Sequence, residues 1–291
     1  MLIKNSKEIE SPDGNWDILI KPKREWLNIP FGEIYRYRNL IFMFVKRDFV
    51  TFYKQTILGP LWYIIQPVIN SIVFTIIFGK LAKIPTDGIP PFLFYMSGTV
   101  VWGYFATCLI QTSNTFVSNR EIFGKVYFPR MAVPISIVIT GIFQFLIQFI
   151  IFIGFLLYYW FLGSDISVTI MVFTLPLILL QMAVLGLGMG IFISSLVTKY
   201  RDLTFVMSFA VQIMMYLTPV VYPLSQVPEN YRNLYVLNPM VSIVECFRGA
   251  FLGVSSIETH HILISVLITL TIFIVGIILF SRIEKTFMDT V

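Results

Sequence analysis

Charged residues are scarce in this sequence. Of its 291 residues only 13% are Asp, Glu, Lys or Arg, whereas 57% are hydrophobic and the mean hydropathy is +0.81. A chain of this length with so few polar side chains cannot cover the surface of a soluble globule. The scarcity of charge therefore excludes a soluble domain and predicts an integral membrane protein.

Cysteine and histidine are rarer still, with two residues of each. Cys108 and Cys246 lie in apolar surroundings with no motif around them, which excludes a disulfide framework and a zinc site. His260 and His261 are adjacent, so on a helix they point to different sides, which suits interfacial histidines better than metal ligands. The sequence predicts a packing role for the cysteines and no metal site.

The chain also has no motif for supplying its own energy. A phosphate-binding loop of the form Gly-x-x-x-x-Gly-Lys-Ser/Thr is missing, because the Gly-Lys pairs at 79–80 and 124–125 lack both the earlier glycine and the hydroxyl residue. The apolar blocks contain no buried carboxylates, histidines or arginines of the kind that relay protons. We therefore expect no ATP hydrolysis by this chain, no proton coupling and no cofactor bound to it.

Six blocks without Asp, Glu, Lys or Arg each exceed the roughly 20 residues needed to cross about 30 Å of hydrocarbon. The fold class predicted is an all-α integral membrane protein with a six-helix membrane domain over 57–291. The spans are expected at about 57–79, 92–116, 131–161, 168–197, 203–220 and 259–281.

The basic residues predict the orientation. With the N-terminus in the cytoplasm, 17 of the 21 Lys and Arg residues lie on the inner side, ten of them in the first 56 residues. This bias matches the positive-inside rule, so we expect both termini in the cytoplasm. The net charge of +5 is explained by a basic rim beside anionic membrane lipids, without a nucleic-acid partner. No apolar leader opens the chain, and residues 1–32 are expected to form a cytoplasmic arm.

An amphipathic helix is predicted over 33–56. Apolar residues recur there at steps of three or four, while basic residues lie largely off that stripe. Such a helix suits the membrane surface, and the alternative is a short soluble helix packed on a partner. The apolar stripe consists of Ile34, Tyr37, Ile41, Val45, Phe49 and Phe52.

The segment after the fifth span is broken by prolines and carries charge. Residues 234–254 are apolar enough to enter the membrane but contain Asn238-Pro239, Glu245 and Arg248. An unpaired charge at mid-bilayer costs about 2.5–3.5 kcal/mol on insertion scales, which argues against a full span. We expect two short re-entrant helices, in which Glu245 and Arg248 could pair, and a flat external loop is the alternative.

Neutral polar side chains spaced by four residues lie beside aromatic rings in several spans. They could form a conduit along which sugar rings slide, or they could bond helix to helix, as buried amides commonly do in membranes. Gln144 and Gln148 share such a face on the third span. The predicted channel-lining residues are Trp62, Tyr63, Gln66, Asn70, Thr107, Gln111, Gln212 and Tyr216.

On the fourth span Gly186, Gly190 and Ser194 form a small-residue face that predicts close helix packing.

Short motifs occur in a fixed order from about residue 33 onward. They are Arg47-Asp48, YKQTILGPLW at 53–62, Gln66-Pro67, KVYFPR at 125–130, LGLG at 185–188, YRD at 200–202, TPVVYP at 218–223, Asn238-Pro239 and Arg248. Each motif alone is weak, but the series covers most of the chain. In this order the sequence resembles the permease subunits of polysaccharide ABC exporters, the family that exports O-antigen and teichoic acid.

The resemblance implies partners and a location. It implies a homodimer of six-span subunits in the bacterial inner membrane, joined to two ATP-binding cassette subunits that bind ATP and Mg²⁺. The implied substrate is a lipid-linked glycan of the O-antigen or teichoic-acid type. The resemblance also implies a surface helix over 33–55, a cytoplasmic coupling helix over about 118–129, and two re-entrant helices over about 221–254 that form an outer gate.

Two sets of residues take roles from this resemblance. The set for ATPase coupling is Glu121, Lys125, Tyr127, Pro129, Arg130, Tyr200, Arg201 and Asp202. The set for the outer gate is Pro219, Tyr222, Pro223, Asn238, Pro239, Glu245 and Arg248. For the basic residues near 120–130, the alternative is that they serve only topology and headgroup binding.

Three other functions compete with polysaccharide export. An exporter of small hydrophobic drugs or lipids could use the same type of permease. A membrane enzyme acting on lipid-linked sugar would need grouped acidic residues at one face, and a passive ion channel would need rings of charge. The sequence contains neither pattern.

Overall fold

The computed structural model describes residues 31–54, 59, 61–200 and 202–290, and all regular structure in these ranges is helical. The predicted all-α fold class is confirmed. Residues 1–30 of the expected arm lie outside the described ranges. The helices are α1 (Phe31–Arg36), α2 (Arg38–Lys54), α3 (Leu61–Phe74), α4 (Pro91–Ser113), α5 (Thr115–Ser118), α6 (Arg120–Phe123), α7 (Ala132–Phe161), α8 (Leu175–Val197), α9 (Leu203–Tyr216), α10 (Glu229–Val236), α11 (Pro239–Leu252) and α12 (Thr259–Thr290).

Five helical segments among the described residues are long and apolar enough to cross a membrane. They are Leu61–Leu81, Pro91–Ser113, Ala132–Phe161, Ile170–Val197 and Thr259–Ile283. The first includes a π-helical extension of α3, and the fourth includes a 3₁₀ turn before α8. Each corresponds to a predicted span.

The remaining span, expected over 203–220, is the 14-residue helix α9. At 1.5 Å per residue α9 is about 21 Å long, which is shorter than a hydrocarbon core of about 30 Å. The chain then continues as turns over 217–222. The helix stops there because Pro219 and Pro223 have no N–H with which to continue it.

Helix α4 lies at the centre of the bundle. In its most apolar window 78% of the residues are buried, compared with 11–28% in the other four long segments. Helices α3, α7, α8, α9 and α11 all pack against α4. Because α4 contains no charged residue and is buried around most of its surface, it forms the core on which the other helices are arranged.

The predicted small-residue face on the fourth span is confirmed. A Cβ at Gly186 would lie 2.8 Å from Cβ of Cys108, and one at Gly190 would lie 2.5 Å from Cβ of Thr112, both on α4. A second contact joins α8 to α12, where a Cβ at Gly276 would lie 2.5 Å from the carbonyl oxygen of Gly188. Glycine therefore lets α8 approach two neighbours closely.

The two ends of the bundle differ in what they carry. The end with α5, α6 and residues 198–200 is called the basic end here, because Lys125, Arg130 and Lys199 lie on it. The opposite end, called the far end, carries the loops 82–90 and 162–169 and the segment 217–258.

The amphipathic helix expected over 33–56 is two helices in the structure, α1 and α2, separated by a turn at Tyr37. Gln55 and Thr56 lie outside the described residues. Ile41 and Val45 of the predicted stripe are buried, and α2 packs on α7. Phe42 and Met43, on the opposite side of α2, are exposed.

The prediction of one continuous coupling helix over 118–129 is wrong, because the helical part of this segment is shorter. The structure has two helices of four residues, α5 and α6, and then turns over 124–131. In one continuous helix Phe123 and Phe128 would point about 140° apart. Both are instead buried in one aromatic cluster with ring centroids 5.6 Å apart, so the chain must turn back after Gly124.

Two helices at the far end, α10 and α11, occupy the segment expected to hold a re-entrant pair. Helix α11 is buried along almost its whole length, with α4, α8 and α12 around it. It ends at Gly253, whose φ of 75° lies in the left-handed region that glycine adopts without strain. A flat surface loop would not bury its residues in this way.

Candidate functional site

A polar cavity lies between α3, α4 and α7, with Met215 of α9 at its side. Its volume is about 340 Å³, at the lower end of the range of about 300–1,000 Å³ typical of small-molecule pockets. Amide and hydroxyl side chains supply its polar wall: Gln66, Asn70, Thr107, Gln111, Gln144 and Gln148.

Helical spacing brings these side chains together. Gln66 and Asn70 are four residues apart on α3, Thr107 and Gln111 on α4, and Gln144 and Gln148 on α7. Residues four apart lie one above the other on a helix, so each pair forms a short polar strip. The structure turns the three strips toward a common space. Four of the predicted channel-lining residues therefore meet in one place, together with the two glutamines of the third span.

Gln148 forms the deepest polar part of the cavity. Its side chain is only 4% exposed, and its Oε1 atom accepts no hydrogen bond from any residue that the structure describes. A buried acceptor without a partner costs about 1–3 kcal/mol. Gly103 on α4 faces it, and a Cβ at Gly103 would lie 3.5 Å from that Oε1. The missing side chain at Gly103 keeps this part of the cavity open.

The other four predicted channel-lining residues are not in the cavity. Trp62 is 48% exposed near the start of α3, and Tyr63 is half-buried there. Gln212 and Tyr216 lie on an exposed side of α9. The predicted set is therefore divided between residues that line the cavity and residues of α3 and α9 that lie outside it.

The outer faces of α3 and α9 combine apolar residues with amides. Leu61, Trp62 and Ile69 are exposed on α3, which also presents Gln66 and Asn70. Exposed apolar side chains on α9 include Phe205, Phe209 and Ile213, and Gln212 lies among them. Amides facing hydrocarbon would lose their hydrogen bonds to water, which is unfavourable.

At the far end Arg248 joins three parts of the chain. Its side chain is 2% exposed, and its guanidinium donates to the carbonyl oxygens of Pro219 at 2.6 Å and Val220 at 2.9 Å. It also donates to Oγ of Ser97 at 3.3 Å and lies 3.7 Å from the ring centroid of Phe94. Arg248 thus ties α11 to α4 and to the turn that follows α9.

Glu245 partly balances the buried charge of Arg248. The predicted pair is confirmed, with Oε1 of Glu245 at 3.5 Å from the guanidinium, while Oε2 accepts from the backbone N–H of Ser256 at 3.2 Å. Burial raises the pKa of Glu245, and the charge of Arg248 opposes that rise. Burial lowers the pKa of Arg248, and the charge of Glu245 opposes that fall.

The other predicted outer-gate residues lie around this ion pair. Asn238 caps α11 by accepting from the N–H of Met240, and it donates to Oγ1 of Thr218 at 2.9 Å. The hydroxyl of Tyr222 donates to the carbonyl oxygen of Tyr216 at 2.9 Å and lies 3.1 Å from the hydroxyl of Tyr235. Pro219, Pro223 and Pro239 are buried. Separate groups of hydrogen bonds thus tie Asn238, Tyr222 and Arg248 to the chain over 216–220.

The basic end presents an exposed turn on an aromatic base. Tyr127 is 89% exposed, and Glu121 and Lys125 are exposed beside it. Phe123, Phe128 and Pro129 are buried beneath, and the guanidinium of Arg130 lies 5.7 Å from the Phe123 ring centroid. Tyr200 and Asp202 are also exposed at this end, while Arg201 lies outside the described residues.

Sequence reasoning missed two partners of Arg248 on α4. Ser97 and Phe94 carry no motif that points to this cluster, and Ser97 is 151 residues from Arg248. Only the packing of α11 on α4 brings them together. For Gln148 the sequence did indicate a polar site. Gln148 lies four residues from Gln144 in a long apolar helix, and buried amides need polar neighbours.

Comparison with known proteins places the chain among transporters. The O-antigen export system permease protein RfbA of Klebsiella pneumoniae is 27% identical over 252 residues, which cover 86% of this chain and 94% of that protein. RfbA of Myxococcus xanthus is 28% identical over 222 residues, covering 75% and 82%. The polysialic acid transport protein KpsM of Escherichia coli is 22% identical over 247 residues, covering 84% and 93%.

The family described as ABC-2 type transporter matches residues 39–252 of this chain. That range runs from the start of α2 to the end of α11 and includes the polar cavity and the Arg248 cluster. With its apolar helical segments, the chain is a multi-pass membrane protein. By this match over most of its length, the chain belongs to the ABC-2 type transporter family.

Proposed function

We propose that two copies of this chain form the membrane conduit of an ATP-driven exporter of lipid-linked polysaccharide. The names of its relatives support this substrate, since they include O-antigen export permeases and a polysialic acid transport protein. Because the described part of the chain has no nucleotide-binding loop, two separate ATP-binding cassette subunits supply the energy. ATP and Mg²⁺ bind to those subunits.

The exposed amides on α3 and α9 carry the proposal. In the isolated chain Gln66, Asn70 and Gln212 would face lipid, where they lose hydrogen bonds. If the α3 and α9 faces of two copies meet, the same amides line an aqueous path and the apolar residues beside them become covered. Trp62 and Tyr216 then supply aromatic surface along that path. A glycan can exchange hydrogen bonds with such a wall without being held at one point.

The topology in this proposal has six spans. Helix α9 and the turns after it together form the fifth span, α1 and α2 lie at the cytoplasmic surface, and α10 and α11 re-enter from the outside. The excess of Lys and Arg at the basic end supports cytoplasmic termini in a bacterial inner membrane. Tyr158 and Trp160, exposed near the far end of α7, suit the outer interface.

The basic end docks on the ATPase in this scheme. The exposed turn with Lys125 and Tyr127 is stiffened by Phe123 and Phe128 beneath it. Glu121, Pro129 and Arg130 complete this face, and Tyr200, Arg201 and Asp202 offer a second contact. Because the residues beneath this turn are packed into the bundle, a force that the ATPase applies to the turn is transmitted to the helices.

The far end acts as the outer gate. Arg248, Glu245, Asn238 and Tyr222 hold α10 and α11 against α4 and against the end of α9. Opening the path requires at least some of these contacts to exchange. ATP binding can favour the open state only through contacts that differ between the two states.

The test is glycan flux in sealed vesicles. The chain is reconstituted with the ATPase that copurifies with it, and ATP-dependent movement of radiolabelled lipid-linked glycan is measured. We expect transport to require both proteins. Uphill transport by the chain alone would contradict the proposal, as would a chain that copurifies with no ATPase.

A second candidate is the export of small hydrophobic molecules. The observation that favours it is an apolar groove of about 420 Å³ between α8, α9, α11 and α12, with Leu185, Met189, Met214 and Ile268 among its lining residues. Such a groove suits a lipid chain or an apolar drug. ATP-driven movement of drug but not of glycan in the same vesicles would favour this candidate.

A further inference from the structure

We infer that the polar cavity between α3, α4 and α7 is a binding subsite for one uncharged, hydroxyl-rich sugar unit, so that the transporter favours neutral over acidic glycans. This inference rests on the proposed function, because it specifies the substrate of the same conduit. It concerns a recess that opens on the α3 face, with Gln66 and Asn70 at its rim, and extends inward to Gln148 on α7.

The chemistry of the wall supports a sugar as the ligand. Each amide of Gln66, Asn70, Gln111, Gln144 and Gln148 offers both donors and an acceptor, and each hydroxyl of a sugar does the same. Ala106, Ile110 and Met215 provide apolar wall between these groups, and the C–H faces of a pyranose ring can pack on such surface. Trp102, which is buried, adds an aromatic ring.

The absence of charge in the wall supports a neutral sugar. Within the parts of the chain that the structure describes, no Lys, Arg, His, Asp or Glu lines the cavity. A carboxylate entering it would lose its hydration without meeting a cation, which is strongly unfavourable. An uncharged ring exchanges its hydrogen bonds with water for hydrogen bonds with amides at little cost.

The floor of the cavity points to a ligand rather than to packing alone. Gln148 is nine-tenths or more buried, yet its Oε1 atom accepts no hydrogen bond from the described residues. Gln181 on α8 provides the contrast, since its Nε2 donates to Oγ of Ser265 on α12 at 2.7 Å and joins two helices. An amide that only held helices together would be paired as Gln181 is.

The rim of the cavity is open. Gln66, Asn70 and Gln111 are exposed, whereas Gln144 is half-buried and Gln148 is buried. The polar groups therefore lead from the outer face of α3 inward to α7. A sugar unit passing along the α3 face could turn into this recess and leave again without any helix moving apart.

Two variants test the subsite. Gln148→Leu removes the amide at nearly constant volume, and Gly103→Ala places a methyl group beside it at an ordinary contact distance, so the fold should tolerate it. The purified complex in nanodiscs is titrated with a neutral glucose hexasaccharide and with a sialic acid hexasaccharide. Each variant should weaken binding of the neutral probe about threefold to tenfold, the effect of one or two hydrogen bonds. Gln181→Leu is the matched control and should bind like the wild type.

A second measurement does not depend on tight binding. Gln148→Cys should react with a small water-soluble methanethiosulfonate several times faster than Ile150→Cys, because Ile150 is 68% exposed on α7 but does not line the cavity. The neutral hexasaccharide should slow the reaction at position 148, and the acidic one should not. The parent chain with Cys108 and Cys246 provides the background rate.

The outcomes separate the subsite from the proposed function. If wild-type vesicles export glycan but Gln148→Leu and Gly103→Ala bind the neutral probe unchanged, the subsite is overturned and the function stands. Equal binding of neutral and acidic probes by the wild type overturns the selectivity. If the wild-type complex moves no glycan, the proposed function fails and the inference fails with it.

Discussion

At the scale of single residues, the cluster at the far end depends on Arg248. One buried guanidinium satisfies two backbone carbonyls that the end of α9 leaves without helical partners, and it faces Glu245 and the ring of Phe94. Replacing any one of these partners affects the others, because the groups share one small buried volume. Residues in such a network do not contribute additively.

We predict that Arg248→Met destabilises the chain by about 3–5 kcal/mol, since it leaves Glu245 and the carbonyl oxygens of Pro219 and Val220 without their buried partner. The measurement is the free energy of unfolding in detergent. The double variant Glu245→Gln with Arg248→Met should lose less than Arg248→Met alone. A double variant that is no more stable than the single one would show that the unpaired carboxylate is not the cause.

At the same scale, Gly276 decides how closely α12 approaches α8. We predict that Gly276→Val destabilises the chain by about 1–3 kcal/mol, because its Cβ would lie 2.5 Å from the carbonyl oxygen of Gly188, which cannot move without the helix. Gly154→Ala on α7 is the control, since a Cβ there meets nothing within 4 Å. Thermal unfolding should separate the two, and equal midpoints would argue against the close contact.

At the scale of elements, the turn after α6 illustrates how packing overrides local pattern. The resemblance predicted a helix over about 118–129, but the aromatic residues at 123 and 128 must both reach the same cluster. The chain therefore leaves the helix and exposes Lys125, Val126 and Tyr127. In the docking face that we propose, this exposed turn takes the place of a helix face.

We predict that Tyr127→Ala lowers ATPase activity of the reconstituted complex several-fold while the chain still inserts and folds. The reason is that an aromatic side chain exposed to 89% on a rigid base is suited to anchor a partner. Tyr231→Ala, which removes an exposed tyrosine from α10, is the control and should leave ATPase activity unchanged. Unchanged activity for Tyr127→Ala would remove this residue from the docking face.

At the scale of the whole molecule, the conduit that we propose requires two copies of the chain. Helix α3 is the least buried of the long segments, with 11% of its most apolar window buried, and it carries amides on its exposed side. A second copy would cover this face and that of α9. The α7 face around Ile150 is apolar throughout and suits lipid.

We predict that Asn70→Cys on α3 forms a covalent dimer with a bismaleimide of about 10 Å reach in native membranes. A direct disulfide is not expected, because it requires Cα atoms within about 7 Å and a glycan path needs more room. Ile150→Cys on α7 should remain monomeric under the same treatment. Equal cross-linking at both positions would contradict a dimer built on the α3 face.

Much of this protein follows from its sequence alone. Long charge-free blocks dictate membrane helices because lipid cannot satisfy charge, and prolines with Glu245 and Arg248 mark the segment that departs from a simple span. The spacing of four between amides already placed Gln66 with Asn70 and Gln144 with Gln148, because it depends only on helix geometry.

Only the tertiary structure decided which of these features meet. It placed Gln148 opposite Gly103 and separated both from Gln212, it placed Ser97 beside Arg248, and it ended α6 at Phe123. Such contacts join residues far apart in the chain, and their energies depend on how several helices pack at once. The local sequence pattern predicts which side chains share a face of each helix. Packing in three dimensions determines which residues of other helices those side chains contact.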